Sequence, residues 1–212
     1  MKPLRVAVPK GRVTRAVAAL FERAGLDAAV LHLDDRRLVR DSADGRFSFA
    51  LLKPDDVPTY VEYGACDVGV CGRDVLLERR YDLLCPLDLG IGRCRLVVAA
   101  PKGSKIAAAP RVATKYVRTA TEYFDARGVP ADIIYVQGSV ELAPLTGLSH
   151  AIVDLVETGT TLQENGLEER ETIVAISSVL VANRAQYKLR HAEMTELIES
   201  LRGVLEPDGD SA

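Results

Sequence analysis

The chain has no tryptophan and only three histidines, and neither sign of charge dominates its 212 residues. A formal net charge of −3 argues against nucleic acid as the main partner, since such binders usually present a basic face. No stretch has membrane length: apolar runs such as Leu96 to Ala100 are strand-sized, so no membrane role is expected. The opening MKPLRVAVPKGR reaches charge too soon for a secretory leader, and the expected location is the cytoplasm. Cys66, Cys71, Cys85 and Cys94 form no C-x-x-C pair, so they read as reduced, buried thiols rather than zinc ligands. His32, His150 and His191 lie too far apart in sequence to form a motif. The metal ligands, if any, are unknown at this level.

What remains is ordinary globular material, 48% hydrophobic and 27% charged, enough for one large or two small domains. LRVAVPKGRVTRAVAALFERAGL reads as a strand from Leu4 to Val8, a turn, and an amphipathic helix with Val13, Val17, Leu20 and Phe21 on one face, stopped at Gly25. A polar, arginine-rich segment from Asp34 to Arg46 precedes the strand FSFALLK and the helix PDDVPTYVEYG. CDVGVCGRDVLLER then repeats strand, glycine turn and helix. This alternation predicts α/β architecture with mostly parallel sheets and helices on both faces. Two long strand runs, near 91–100 and 172–182, would be paired hinge strands between two lobes, with the last helix returning to the first lobe. The tail from Glu206 to Ala212 reads as polar and disordered.

Two lobes would gather several strand-to-helix turns around one cleft. Four turns qualify: Pro9 to Arg12, Gly72 to Asp74, Gly138 to Glu141, and Glu157 to Thr161. In the last, AIVDLVETGTTL runs from a buried strand into Thr158, Gly159, Thr160 and Thr161, where unpaired helix amides, hydroxyls and the helix dipole could converge on an anion. An ordinary cap at Thr158 or Thr160, with Gly166 as the residue after the helix, accounts for the same pattern. Lys10 and Arg12 would clamp a multiply phosphorylated substrate, or simply sit in a solvated turn. Glu141 and Asp154 are lone acids in neutral or apolar surroundings; each could cap a helix, accept sugar hydroxyls or join a magnesium shell.

The segment from Glu141 to Leu162, ELAPLTGLSHAIVDLVETGTTL, resembles the signature of the ATP phosphoribosyltransferase family: a glutamate, five residues, glycine, an apolar-Asp-Leu run, then Thr-Gly-x-Thr-Leu. VAVPKGRV, DVPTYVEYGACDVGVCGRDVLLE, RVATKYV and SSVLVAN are similar to other segments of that family, so the resemblance covers nearly the whole chain. It implies a two-lobe, periplasmic-binding-protein-like (type II) fold with a cleft between lobes. Domain I would comprise 1–90 plus 178–212, and domain II, with the phosphoribosyl pyrophosphate loop, 91–177. It also implies transfer of the phosphoribosyl group to N1 of ATP, with release of pyrophosphate and with Mg2+ carried by the substrates. Adenine N1 already bears a lone pair at neutral pH, so alignment and charge stabilisation are needed rather than a general base.

By that resemblance Asp154 would accept a ribose hydroxyl, with Glu141 lining the same pocket and Glu157, Thr158, Gly159, Thr160, Thr161 and Leu162 holding the 5-phosphate end. Lys10, Gly11 and Arg12 would meet phosphates from the facing lobe, and Gly72, Arg111, Thr114 and Lys115 would join Gly11 near the nucleotide. Lys53, placed to help the leaving group, stands where the family often has arginine, which keeps charge but removes a bidentate fork. The chain's length resembles the family's short form, so the expected partners are a histidyl-tRNA-synthetase-like regulatory subunit, on which histidine sensing would depend, and a second copy of the chain. Two alternatives are a non-enzymatic two-lobe binding protein and a purine or pyrimidine phosphoribosyltransferase. The latter usually carries two adjacent acids before its phosphate loop, whereas here Leu155 follows Asp154.

Overall fold

β1 (Leu4–Pro9) is buried at every position except Arg5, as a strand covered on both faces must be. These coordinates come from a computed structural model that describes residues 2–205; the tail from Glu206 to Ala212 lies outside the described residues. After β1 comes α1 (Arg12–Arg23), which buries Val17, Ala18, Leu20 and Phe21 along one stripe. Phe21 meets Phe47 and Phe49 edge-on at ring separations of 5.9 and 5.8 Å. The arginine-rich segment contains β2 (Val39–Asp41), paired antiparallel to β3 (Phe47–Leu52). A short 3-10 turn at Pro54–Asp56 leads into α2 (Val57–Glu62), then β4 (Val68–Gly72), α3 (Arg73–Glu78) and β5 (Leu83–Asp88).

The chain continues through β6 (Cys94–Pro101), β7 (Arg111–Thr114), α4 (Val117–Asp125), β8 (Asp132–Tyr135), α5 (Leu142–Leu145), β9 (Ala151–Val156), α6 (Thr160–Glu164) and β10 (Leu167–Ile176). It ends in β11 (Ser178–Asn183), α7 (Arg184–Leu189) and α8 (His191–Arg202). Two compact units result: one takes residues up to 76, 80–92 and from 177 onward, the other 77–79 and 93–176.

The first unit holds a six-stranded sheet of order β2-β3-β1-β4-β11-β5, the second a five-stranded sheet of order β10-β6-β9-β7-β8. Each has apolar clusters on both faces, as the β-α alternation predicts. Parallel pairing is confined to β3-β1-β4 in one and β9-β7-β8 in the other. The remaining ladders are antiparallel, so the sheets are mixed rather than mostly parallel. The cause is local: β2 and β3 form a hairpin, and β6, β10 and β11 come from the two runs read as hinge strands. β6 and β10 do pair, Cys94 opposite Ile176, but the apolar run TIVAISSVLVAN breaks at Ser177 and its second half joins the other sheet as β11.

Candidate functional site

In each unit the parallel strands bring their carboxyl ends into one row, the place where an α/β sheet collects ligand-binding loops. In the first unit Pro9 lies opposite Leu52, and the Lys10 N–H donates to the Leu52 carbonyl at 2.7 Å. Lys10, Gly11 and Arg12 therefore leave the sheet beside Lys53, all four exposed, with Gly11 at the N-cap of α1. The Thr14 hydroxyl donates to the Pro9 carbonyl at 2.7 Å and pins the turn. Gly72 ends β4 in the same row. A methyl group there would come within 2.1 Å of the Asp74 carboxylate, which is buried, so only glycine lets that acid fold back over the strand end.

In the second unit β7, β8 and β9 end at Thr114, Tyr135 and Val156. Asp154 lies on β9 between Ile152 and Val156, whose side chains pack with Ala143 of α5 and Leu162 of α6. Burial pushes the Asp154 carboxyl above the usual carboxylate range; the Leu155 N–H, donated at 2.8 Å, opposes this, the charge of Glu141 adds to it and that of Lys115 opposes it. Those influences place Glu141, Lys115 and Asp154 in one electrostatic neighbourhood. Lys115 lies 4.7 Å above the Tyr116 ring. Thr114 is structural: its buried hydroxyl donates to the Val153 carbonyl at 2.6 Å and accepts the Tyr116 N–H at 2.9 Å.

The loop after β9 separates its two readings. A plain helix cap needs a Thr158 or Thr160 oxygen on a first-turn amide. Instead the N-cap of α6 is Gly159, in the left-handed region at φ 84°, and no side chain caps the helix. The Thr158 and Thr160 hydroxyls lie 3.0 Å apart, and the Thr160 N–H reaches Thr158 only at 3.4 Å. The first helical bond runs from the Gln163 N–H to the Gly159 carbonyl, which places the Thr160, Thr161 and Leu162 amides ahead of it. Glu157, Thr158, Thr160 and Thr161 are exposed, while Leu162 is anchored in the core.

Arg111 is the predicted residue that stands apart. It opens β7, at the amino end, where its guanidinium donates to the Gly147 carbonyl at 3.0 Å and its N–H to His150 at 2.9 Å. Sequence reading also passed over Asp74 and over Arg95, whose partner Glu169 lies 74 positions away. The first unit has a cavity of about 520 Å³ elsewhere, at the amino edge of its sheet, lined by Lys2, Arg5, Asp67 and Arg190 among others. Both arginines there pair with Asp67, so that carboxylate and its two guanidinium partners are committed to one another's charge. Among the described residues no group of three or more His, Cys, Asp or Glu could hold a metal ion, and no helix is long and apolar enough to cross a membrane.

The family model described as HisG, ATP phosphoribosyltransferase, matches residues 53–203. The ATP phosphoribosyltransferase of Sorangium cellulosum is 62% identical over 201 residues, 95% of this chain and 95% of its own length. The chain belongs to the ATP phosphoribosyltransferase family. Its reaction joins N1 of ATP to the anomeric carbon of phosphoribosyl pyrophosphate, giving phosphoribosyl-ATP and pyrophosphate in histidine biosynthesis. A solved relative, the "ATP phosphoribosyl transferase (HisG:HisZ) complex from Thermotoga maritima", is 36% identical with a TM-score of 0.80, over 95% of this chain and 98% of that one. The alkanesulfonate-binding protein SsuA from Xanthomonas axonopodis shares the fold alone, at 12% identity and TM-score 0.57, over 96% of this chain and 73% of that one. The two-unit architecture is thus that of type II periplasmic binding proteins, here in an ATP phosphoribosyltransferase.

Proposed function

We propose that the loop from Glu157 to Leu162 holds the 5-phosphate of phosphoribosyl pyrophosphate, while Asp154 accepts a ribose hydroxyl and Glu141 lines the same place. The observation that carries this reading is the uncapped start of α6, where three amides and three threonine hydroxyls gather one turn beyond a half-buried acid. As pyrophosphate departs the ribose carbon becomes cationic, and an ionised Asp154 bonded to the hydroxyls favours that charge. Hydroxyl donors and the charge of Lys115 favour the ionised form that burial disfavours.

The exposed cations Lys10, Arg12 and Lys53 of the first unit are assigned to substrate phosphates. Arg12 provides a bidentate fork and the two lysines point charges, which suits the charge building on a pyrophosphate leaving group. Gly11 leaves backbone open beside them for the nucleotide, whereas the Asp74 carboxylate closes over Gly72, and Arg111 drops out of that role because of where β7 begins. Magnesium would come with the substrates, and the Asp154 and Glu141 carboxylates are oxygen donors of the kind it accepts.

The reading is tested by mixing the purified chain with ATP, phosphoribosyl pyrophosphate and magnesium and following the adduct by absorbance and mass. Formation of phosphoribosyl-ATP and pyrophosphate is expected; use of guanine, hypoxanthine or orotate in place of ATP would refute it. Thr161→Val keeps the shape of the loop and its amides but deletes one hydroxyl. Loss of a hydrogen bond to a charged group should weaken phosphoribosyl pyrophosphate binding by about 1 to 3 kcal/mol with the fold intact. Unchanged affinity would remove Thr161 from the site.

A HisZ-like second chain is the proposed partner, on the strength of the Thermotoga complex. Added to this chain, it should confer inhibition by histidine, read as initial rate against histidine concentration at fixed substrates. Strong, saturable inhibition of the catalytic chain by itself would overturn that assignment. The cytoplasm is the proposed location, where all these substrates are available.

A further inference from the structure

We propose that Arg95 is a positioning residue for the phosphate loop, clamped by Glu169 so that it fixes the first peptide of that loop; this rests on the reading of Glu157 to Leu162 given above. Arg95 lies on β6 opposite Val156, the last residue of β9. Its Nε and Nη2 donate to the Glu169 carboxylate at 2.8 and 2.6 Å, a fork that leaves Nη1 aimed the other way. Nη1 donates to the Glu157 carbonyl at 3.1 Å. That carbonyl belongs to the peptide whose N–H is Thr158's, so the guanidinium holds the point where strand becomes loop.

Glu169 is itself held in place. The Thr172 hydroxyl donates to its Oε1 at 2.8 Å, which keeps the carboxylate facing Arg95. The bulges in β10, between Glu169 and Glu171 and between Thr172 and Val174, give Glu169 and Thr172 a common side despite their odd spacing. Three strands thus converge on one guanidinium, and that guanidinium spends its third contact on the loop's backbone.

Magnitude separates this role from a structural one. The side chains of Arg95 and Glu169 are 36% and 28% exposed, and ion pairs so placed contribute little to global stability. A loop displaced by a fraction of an ångström, in contrast, loses much of its aligned binding energy. The effect of removing Arg95 should therefore fall on one substrate and spare the fold. It should also follow the geometry of the fork, because an ammonium offers no planar pair of donors to a carboxylate while a third donor reaches a carbonyl.

The test is steady-state kinetics of Arg95→Ala, Arg95→Lys and Glu169→Gln with each substrate varied, alongside Thr161→Val and a thermal melt of every variant. Arg95→Ala is expected to raise KM for phosphoribosyl pyrophosphate about tenfold, with KM for ATP within about twofold of the parent and melting shifted by only a few degrees. Arg95→Lys should give an intermediate rise. Glu169→Gln, which leaves Arg95 present but loosely held, should raise the same KM several-fold, and it carries the test if Arg95→Ala does not fold. Equal rises in both KM values, or no rise from Arg95→Ala and Glu169→Gln while Thr161→Val does weaken phosphoribosyl pyrophosphate binding, would overturn the role of Arg95 and leave the loop assignment standing. No effect from any of them, Thr161→Val included, would remove both.

Discussion

Asp154→Asn is expected to lower kcat/KM about 100-fold, about 2.7 kcal/mol of transition-state stabilisation, while leaving the unliganded protein more stable at neutral pH. Both effects have one cause. The carboxylate is held in a mostly apolar part of β9, with a single backbone donor in reach and Glu141 nearby. Burial raises its pKa in the folded state above its value in the unfolded chain. A raised carboxyl pKa means that the folded state binds the proton more tightly, so its contribution to stability is complete below about pH 4 and is lost as pH rises through the folded-state value. As pH rises past that value the parent takes on a half-buried charge that asparagine lacks.

The same charge stabilises a cationic ribose and orders its hydroxyls, which is why the variant loses rate. Urea denaturation of parent and variant between pH 7 and pH 4, together with kinetics at pH 7, separates these terms. The variant's stability advantage should be largest at pH 7 and shrink as pH falls, because the parent's own carboxyl is then neutralised. A variant with nearly full activity, or one less stable by the same margin at every pH, would show that Asp154 is a packing residue.

The β9 loop was legible in sequence because a strand, an acid and a Thr-Gly-Thr-Thr run lie within a dozen consecutive residues, where local rules apply. Its cap was not. Whether Thr158 or Gly159 caps α6 depends on the φ value at Gly159, which spacing leaves open. β2 was hidden because Val39, Arg40 and Asp41 look like solvated coil; they serve as an edge strand, where charge is tolerated, and Arg40 turns inward onto the Val30 carbonyl and the Asp35 carboxylate. β5 was hidden by Pro86, which argues against a central strand. It too is an edge, and the proline falls where its ladder with β11 shifts register. Arg111 opens β7 and Lys115 follows its last residue, yet only the direction of β7 in the sheet decides which of them reaches the carboxyl edge. Arg95 with Glu169 was beyond reach for a different reason, since nothing in a single sequence couples positions 74 apart.

Asp67→Ala should produce the largest loss of stability of any single change considered, about 3 to 5 kcal/mol, with the phosphate loop in the other unit unaffected. Asp67 precedes β4 and its side chain is only 2% exposed. It accepts the Arg5 N–H at 2.8 Å, the Arg5 guanidinium at 3.1 Å and the Arg190 guanidinium at 2.9 Å. Arg190, between α7 and α8, also donates to the Lys2 and Pro3 carbonyls at 2.7 and 3.0 Å and pairs with Glu193. One carboxylate thus ties the beginnings of β1 and β4 to the last helices. Alanine in its place leaves Arg190, 16% exposed, with part of its charge unanswered. The burial of Asp67 and the partial burial of Arg190 distinguish this network from exposed pairs such as Arg202 with Glu199, whose removal should cost well under about 1 kcal/mol. Chemical denaturation followed by circular dichroism would measure the loss. Asp67→Leu combined with Arg190→Met should recover a substantial part of it, because an apolar pair removes both desolvated charges together. If Asp67→Ala alone costs no more than about 1 kcal/mol, the network is not what holds α8 to the start of the sheet, and the apolar contacts of Met194, Leu197 and Leu201 carry that attachment unaided.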